Sequence, residues 1–204
     1  MHISEGILSA PVLLSGAVVA VAGTAIGLRK LDYDRLPQVA VLTSAFFVAS
    51  LVHIPVGPSS VHLILNGLMG LLLGWVAFPA ILVGLILQAV LFQYGGLTVL
   101  GVNTTSMALP AVLCHYALGA AARSNMRYLS ISASFVAGFG AILLSGLLVA
   151  AALVFTGESF WPVARLVLAA HVPVMVIEGV FVAVSVQFLK KVRPELLEII
   201  YAKR

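Results

Sequence analysis

The chain is 204 residues long, 62% hydrophobic and only 9% charged, with a formal net charge of +4 and a mean hydropathy of +1.16. A soluble domain is about half apolar and a quarter charged, so a chain of this composition cannot cover itself for water, and a soluble fold is excluded. The small positive balance calls for no nucleic-acid partner, because position relative to a bilayer accounts for it below.

The opening Met1-His2-Ile3-Ser4-Glu5-Gly6 has no basic n-region, and the apolar run from Ile7 to Leu28 is longer than the core of a signal peptide. A retained N-terminus followed by a first span is the expectation. No Asp, Glu, Lys or Arg lies between Arg35 and Arg123. With about 20 apolar residues needed per crossing, that gap holds several spans. Taken in chain order, the pattern predicts an all-α integral membrane protein of seven transmembrane helices, at 7–28, 36–54, 61–76, 79–94, 106–122, 129–155 and 163–189. Glycine, proline and polar clusters break the apolar runs at 29–35, 55–60, 77–79, 95–105, 123–127 and 157–162. The third and fourth spans are short, and if both were re-entrant the parity of the topology would not change. Residues 1–204 thus form a single membrane domain, with 190–204 as a cytoplasmic tail.

Basic residues flank the cytoplasmic ends of spans. Seven crossings with the C-terminus in the cytoplasm put Arg29, Lys30, Arg35, Arg123, Arg127, Lys190, Lys191, Arg193, Lys203 and Arg204 on one side, and only Arg165 toward the other. The N-terminus is then outside, with the loops at 55–60, 95–105 and 157–162. On the first span Gly16, Ala20, Gly23 and Gly27 recur at helical spacing, a face of small residues on which another helix can pack, from the same chain or from a partner. The lone Cys114 supports neither a disulfide framework nor a cysteine metal cluster.

The predicted topology collects polar residues at the outer side: the amine of Met1, His2, His53, Ser59, Ser60, His62, Asn66, Asn103, Thr104, Thr105 and, part-way into the last span, His171. His115 is expected to be a buried, hydrogen-bonded histidine. His2 is the most informative of the set. A histidine at position two places a terminal amine, its own amide nitrogen and its imidazole in sequence, so a metal closes a five-membered and then a six-membered chelate ring. A fourth nitrogen from His62 completes a square-planar set, the geometry of Ni(II) or Cu(II), and Co(II) is accepted by the same nitrogens. Ligation requires a neutral imidazole and a deprotonated amine, so binding is expected to weaken as pH falls through their reference pKa values, about 6.5 and about 7.7 to 8.0. His53, Ser59, Ser60, Asn66, Asn103 and Thr104 are candidates for hydrogen bonds that orient the ligands.

Met1-His2-Ile3-Ser4-Glu5-Gly6 resembles the Met-His-Ile-x-Glu-Gly start of the substrate-capture M subunit of cobalt and nickel energy-coupling-factor transporters. Val56-Gly57-Pro58-Ser59-Ser60-Val61-His62, Gly95-Gly96-Leu97-Thr98-Val99-Leu100-Gly101-Val102-Asn103 and Ala170-His171-Val172-Pro173-Val174-Met175-Val176-Ile177-Glu178-Gly179 extend the likeness over the whole chain. The resemblance implies a seven-helix fold whose N-terminus dips into the bundle from outside. It also implies an ion held by the Met1 amine, the amide and imidazole of His2, and the imidazole matching His62. Ser59-Ser60-Val61-His62-Leu63 departs from the Ser-Ser-His-Pro of some cobalt members, which leaves open the register of the fourth ligand and the preferred metal.

No lysine is followed by Ser or Thr, so the chain carries no P-loop. The resemblance assigns the work of transport to a transmembrane coupling subunit and ATP-binding-cassette ATPases, with a small accessory membrane subunit as a further partner, in a bacterial or archaeal cell membrane. The small-residue face of the first helix and the basic cytoplasmic segments are the surfaces expected to meet them. No cofactor is expected; Co2+ or Ni2+ is cargo. A different reading is a self-sufficient channel or proton-coupled carrier, in which His171 and Glu178, two helical turns apart, form an intramembrane polar pair. An intramembrane enzyme lacks support, since the chain has no His-Glu-x-x-His and no nucleophile paired with a base.

Overall fold

The computed structural model describes residues 2–51, 53–56 and 59–197, with 53, 55, 56 and 61 described by their backbone alone. Met1 and the tail with Lys203 and Arg204 lie outside the described residues. The first helix, α1 (Ala10–Lys30), carries Pro11 in its first turn, where a missing N–H is harmless. It ends on Arg29 and Lys30, whose charge suits the carbonyl end of the helix dipole. A 3-10 turn, Tyr33–Arg35, is capped by the Asp32 side chain accepting from the Asp34 N–H, and leads into α2 (Leu36–Ala49). Two short strands follow, β1 (His53–Val56) and β2 (Ser59–His62), paired antiparallel with His53 opposite His62 and Val56 opposite Ser59.

Leu65, with a left-handed φ of 58°, turns the chain from the hairpin into α3 (Asn66–Leu73), every residue of which is buried. Gly74 at φ 54° opens a 3-10 turn, Gly74–Val76, into α4 (Ala77–Phe92). The break therefore lies just before the expected 77–79. Pro79 falls in the first turn of α4, where no intrahelical N–H bond is lost. Three long helices complete the chain: α5 (Leu100–Arg123), α6 (Arg127–Thr156) and α7 (Trp161–Val192).

Five stretches are long and apolar enough to cross a bilayer: Ala10–Lys30, Asn66–Phe92, Leu100–Arg123, Arg127–Thr156 and Glu158–Val192. The expected spans at 36–54 and 61–76 are not continuous helices of that length. α2 has 14 residues and α3 has 8, short of the roughly 20 a full crossing takes. What the pattern assigned to their outer ends is the β1–β2 hairpin. The Asn66–Phe92 stretch also doubles back, since Arg123 donates to the Leu71 carbonyl at one end of the molecule while Gln88 meets His2 at the other.

The small residues of α1 pack inside the chain. A Cβ on Gly16 would lie 2.5 Å from the Val102 side chain of α5, one on Gly23 would lie 2.5 Å from the Phe78 ring of α4, and one on Gly27 would lie 2.5 Å from the Trp75 carbonyl. Of the two expectations for this face, packing within the chain is the one found. The basic residues gather at the end away from the hairpin: Lys30 sits over the Trp75 ring, Arg123 donates to the carbonyls of Leu71 and Leu197, and Lys190 donates to the Ser124 carbonyl.

Candidate metal centre

The N-terminal segment is buried at His2 and Ile3, with Ile3 fully enclosed and His2 only 4% exposed, before Ser4, Glu5 and Gly6 return to the surface. An extended segment inside an apolar bundle must find partners for its peptide groups. Here Asn103 on the first turn of α5 supplies two of them. Its Oδ1 accepts from the Ile3 N–H at 2.9 Å, and its Nδ2 donates to the Ile3 carbonyl at 3.2 Å. Ile3 also bridges antiparallel to Ser59 at the start of β2, and the Glu5 N–H donates to the Gly95 carbonyl at 2.9 Å. Glycine is required at 96, because φ is 138° and a Cβ would stand 2.2 Å from a Glu5 carboxyl oxygen. The 95–105 segment, expected as a loop, is helix from Leu100 onward. Only its Gly95-Gly96 turn lies over the N-terminal strand, and α5 begins at Leu100.

This strand delivers His2 to His62, the last residue of β2. Nδ1 of His2 lies 3.0 Å from Nε2 of His62, with ring centroids 4.7 Å apart and planes inclined by 25°. The outward nitrogen of each ring meets an oxygen. His62 Nδ1 donates to its neighbour's carbonyl, Leu63 O, at 2.8 Å, and His2 Nε2 lies 2.6 Å from Oε1 of Gln88 on α4. Tyr94, stacked on Phe92, closes one flank with its ring centroid 6.3 Å from that of His2.

The other expected residues divide. Asn103 and the backbone of Ser59 build the cradle of the N-terminal strand, and Ser60 is buried in the same hairpin. His53 is paired with His62 through the backbone; its side chain lies outside the description, as does all of Met1. Asn66 is not turned to the histidines, for its Nδ2 donates to Met107 O and Ser145 Oγ and ties α3 to α5 and α6. Thr104 is buried, its hydroxyl without a partner among the described residues. His171 and Glu178 are both fully buried but are bonded separately. His171 Nδ1 donates to the Val167 carbonyl of its own helix, and Glu178 Oε1 accepts from the N–H groups of Ile64 and Leu65. The expected polar pair is therefore not formed. His115 donates from Nδ1 to the Gly70 carbonyl, a buried packing histidine. Gln88 and Ser50 were absent from the expected set, although Gln88 is the single polar side chain of α4 and carries that signal in the sequence.

Among the described residues no three His, Cys, Asp or Glu side chains gather as a metal cage. Two imidazoles, those of His2 and His62, are what meet here. A family model for the cobalt uptake substrate-specific transmembrane region, CbiM, matches residues 2–196. The chain belongs to the CbiM family. It is similar over 97% of its length, at 43% identity, to a protein of Haemophilus influenzae described as "Putative metal transport protein", of which it covers 97%. To the fused nickel transport protein NikMN of Rhodobacter capsulatus it is 36% identical over 71% of its own length and 45% of that protein's. A crystallised transition metal transporter shares the fold with a TM-score of 0.77 at 24% identity, covering 94% of this chain and 93% of that one. This CbiM-family chain is a multi-pass membrane protein of metal transport.

Proposed function

We propose that this CbiM-family protein captures a divalent transition metal, Co2+ or Ni2+, between the amine of Met1, the amide and Nδ1 of His2, and Nε2 of His62. The observation that carries this reading is the 3.0 Å between the two imidazole nitrogens. Metal–nitrogen bonds are about 2.0–2.1 Å long, so two cis donors in a square plane stand about 2.8–3.0 Å apart. The histidines are held at that spacing by the protein itself. The outward ring nitrogens meeting Leu63 and Gln88 match the second layer of hydrogen bonds that orients ligating histidines.

The ion enters from outside the cell, at the end of the bundle away from the basic residues. The chain makes seven passes, those of α2 and α3 completed by the β1–β2 hairpin, with the N-terminus outside and the C-terminus in the cytoplasm. Import is driven by ATP through a transmembrane coupling subunit and ATP-binding-cassette ATPases, joined in some assemblies by a small accessory membrane subunit, in a bacterial or archaeal cell membrane. The basic end, with Arg123, Arg127 and Lys190, is the surface for those partners.

Metal analysis of purified protein tests the site. Protein with a native N-terminus retains nickel or cobalt, whereas a version extended by a few residues before Met1, which loses the primary amine and keeps every side chain, releases it. Equal retention by the two rejects the donor set.

A further inference from the structure

We infer that Gln88, held in one orientation by Ser50, selects the tautomer of His2 that leaves Nδ1 bare for the metal. This rests on the metal site proposed above and adds to it a positioning residue on a different helix. The argument begins at the end of α2. Ser50 has one hydroxyl proton, and it donates to the Phe47 carbonyl at 2.8 Å. Toward Gln88 the same oxygen can only accept, so it is the Nε2 amide hydrogen of Gln88 that points to Ser50. The opposite face of the amide, Oε1, is thereby turned to His2 at 2.6 Å. An amide oxygen accepts only, so the ring nitrogen facing it must carry the hydrogen. His2 is fixed as the Nε2–H form, and its Nδ1 presents a lone pair.

The same reasoning from the Leu63 carbonyl places the hydrogen of His62 on Nδ1 and a lone pair on Nε2. Both lone pairs thus face the 3.0 Å space between the rings, where a cation would bind. A six-membered chelate ring through the His2 amide closes only on Nδ1, so the other tautomer would carry a hydrogen where the ion must bind. Ser50 and Gln88 are both fully buried. Burial strengthens both hydrogen bonds of the amide, which makes the orientation persistent.

Two-bond 1H–15N correlation spectra of metal-free protein at about pH 8, where imidazoles are neutral, read the tautomer directly, with His2 assigned through a His2→Gln variant. Wild type shows a protonated Nε2 on His2. Gln88→Leu and Ser50→Ala move population to the Nδ1–H form and weaken nickel retention, the first by about 10–100-fold. Gln88→Glu, whose carboxylate still accepts from the His2 Nε2–H and draws the Ser50 hydroxyl round to donate to it, keeps the wild-type tautomer. A Gln88→Leu protein that keeps the wild-type tautomer, or one that changes tautomer yet holds nickel as tightly as wild type, overturns the inference. If wild type binds no nickel while its tautomer still follows Gln88, the relay stands and the metal reading is what fails.

Discussion

His62 illustrates how one side chain answers to burial and chemistry together. It is buried against His2, with its Nδ1 donating to the Leu63 carbonyl and its Nε2 turned to the His2 ring at 3.0 Å. Metal retention should weaken as pH falls from about 8 to about 6, because imidazole and amine bind metal only when deprotonated; retention unchanged over that range would count against these donors. His62→Ala should abolish measurable retention at any pH, with helix content unchanged by circular dichroism.

At the scale of elements, the centre depends on how the 59–66 segment is anchored. β2 and the start of α3 contain no capping side chain of their own, and Leu65 precedes α3 in a left-handed conformation. Glu178, just past the middle of α7, accepts from the N–H groups of Ile64 and Leu65 and so caps α3 from another helix. Glu178→Ala leaves two buried donors unpaired, each costing about 1–3 kcal/mol. Glu178→Gln keeps one acceptor and should cost less. A lowered unfolding temperature for the alanine variant, with nickel retention reduced because His62 is displaced, is the expected outcome; equal temperatures for the three proteins would dismiss the cap. Close helix contact is the second anchor. A Cβ on Gly70 would stand 2.1 Å from the Ala111 carbonyl of α5, a backbone atom that cannot rotate away. Gly70→Ala should therefore destabilise by about 1–3 kcal/mol, whereas alanine at Gly140, where the same atom would meet nothing within 4 Å, should be silent in the same unfolding assay.

For the whole molecule, the orientation in the membrane is open to direct measurement. In a Cys114→Ala background, a cysteine at Glu158 should react with a membrane-impermeant thiol reagent applied to intact cells, and one at Asn125 only after the membrane is opened. The reverse pattern would place the histidines on the cytoplasmic side and end the uptake reading. Much of this architecture was legible in the sequence because bilayers impose long apolar runs and sort positive charge, and both are one-dimensional signals. The runs of α1, α5, α6 and α7 were read to within a few residues at most ends. The early start of α5 was obscured by Asn103, Thr104 and Thr105, whose polarity reads as loop until Asn103 is seen clasping the backbone of Ile3. The hairpin within the expected second and third spans was equally hidden, because a short apolar strand and a short apolar helix look alike in hydropathy.

From its order of residues alone the chain determined that it lives in a membrane and where along it basic charge gathers, and it singled out His2 and His62 as candidate ligands. Those properties are local or additive along the chain. Only the tertiary structure decided that His62 meets His2 at 3.0 Å, that Gln88 rather than Asn66 stands behind the ring, and that Glu178 serves a helix cap instead of pairing with His171. Each of these is a contact between segments far apart in sequence, and a buried polar group takes whichever partner the packing of helices brings within reach.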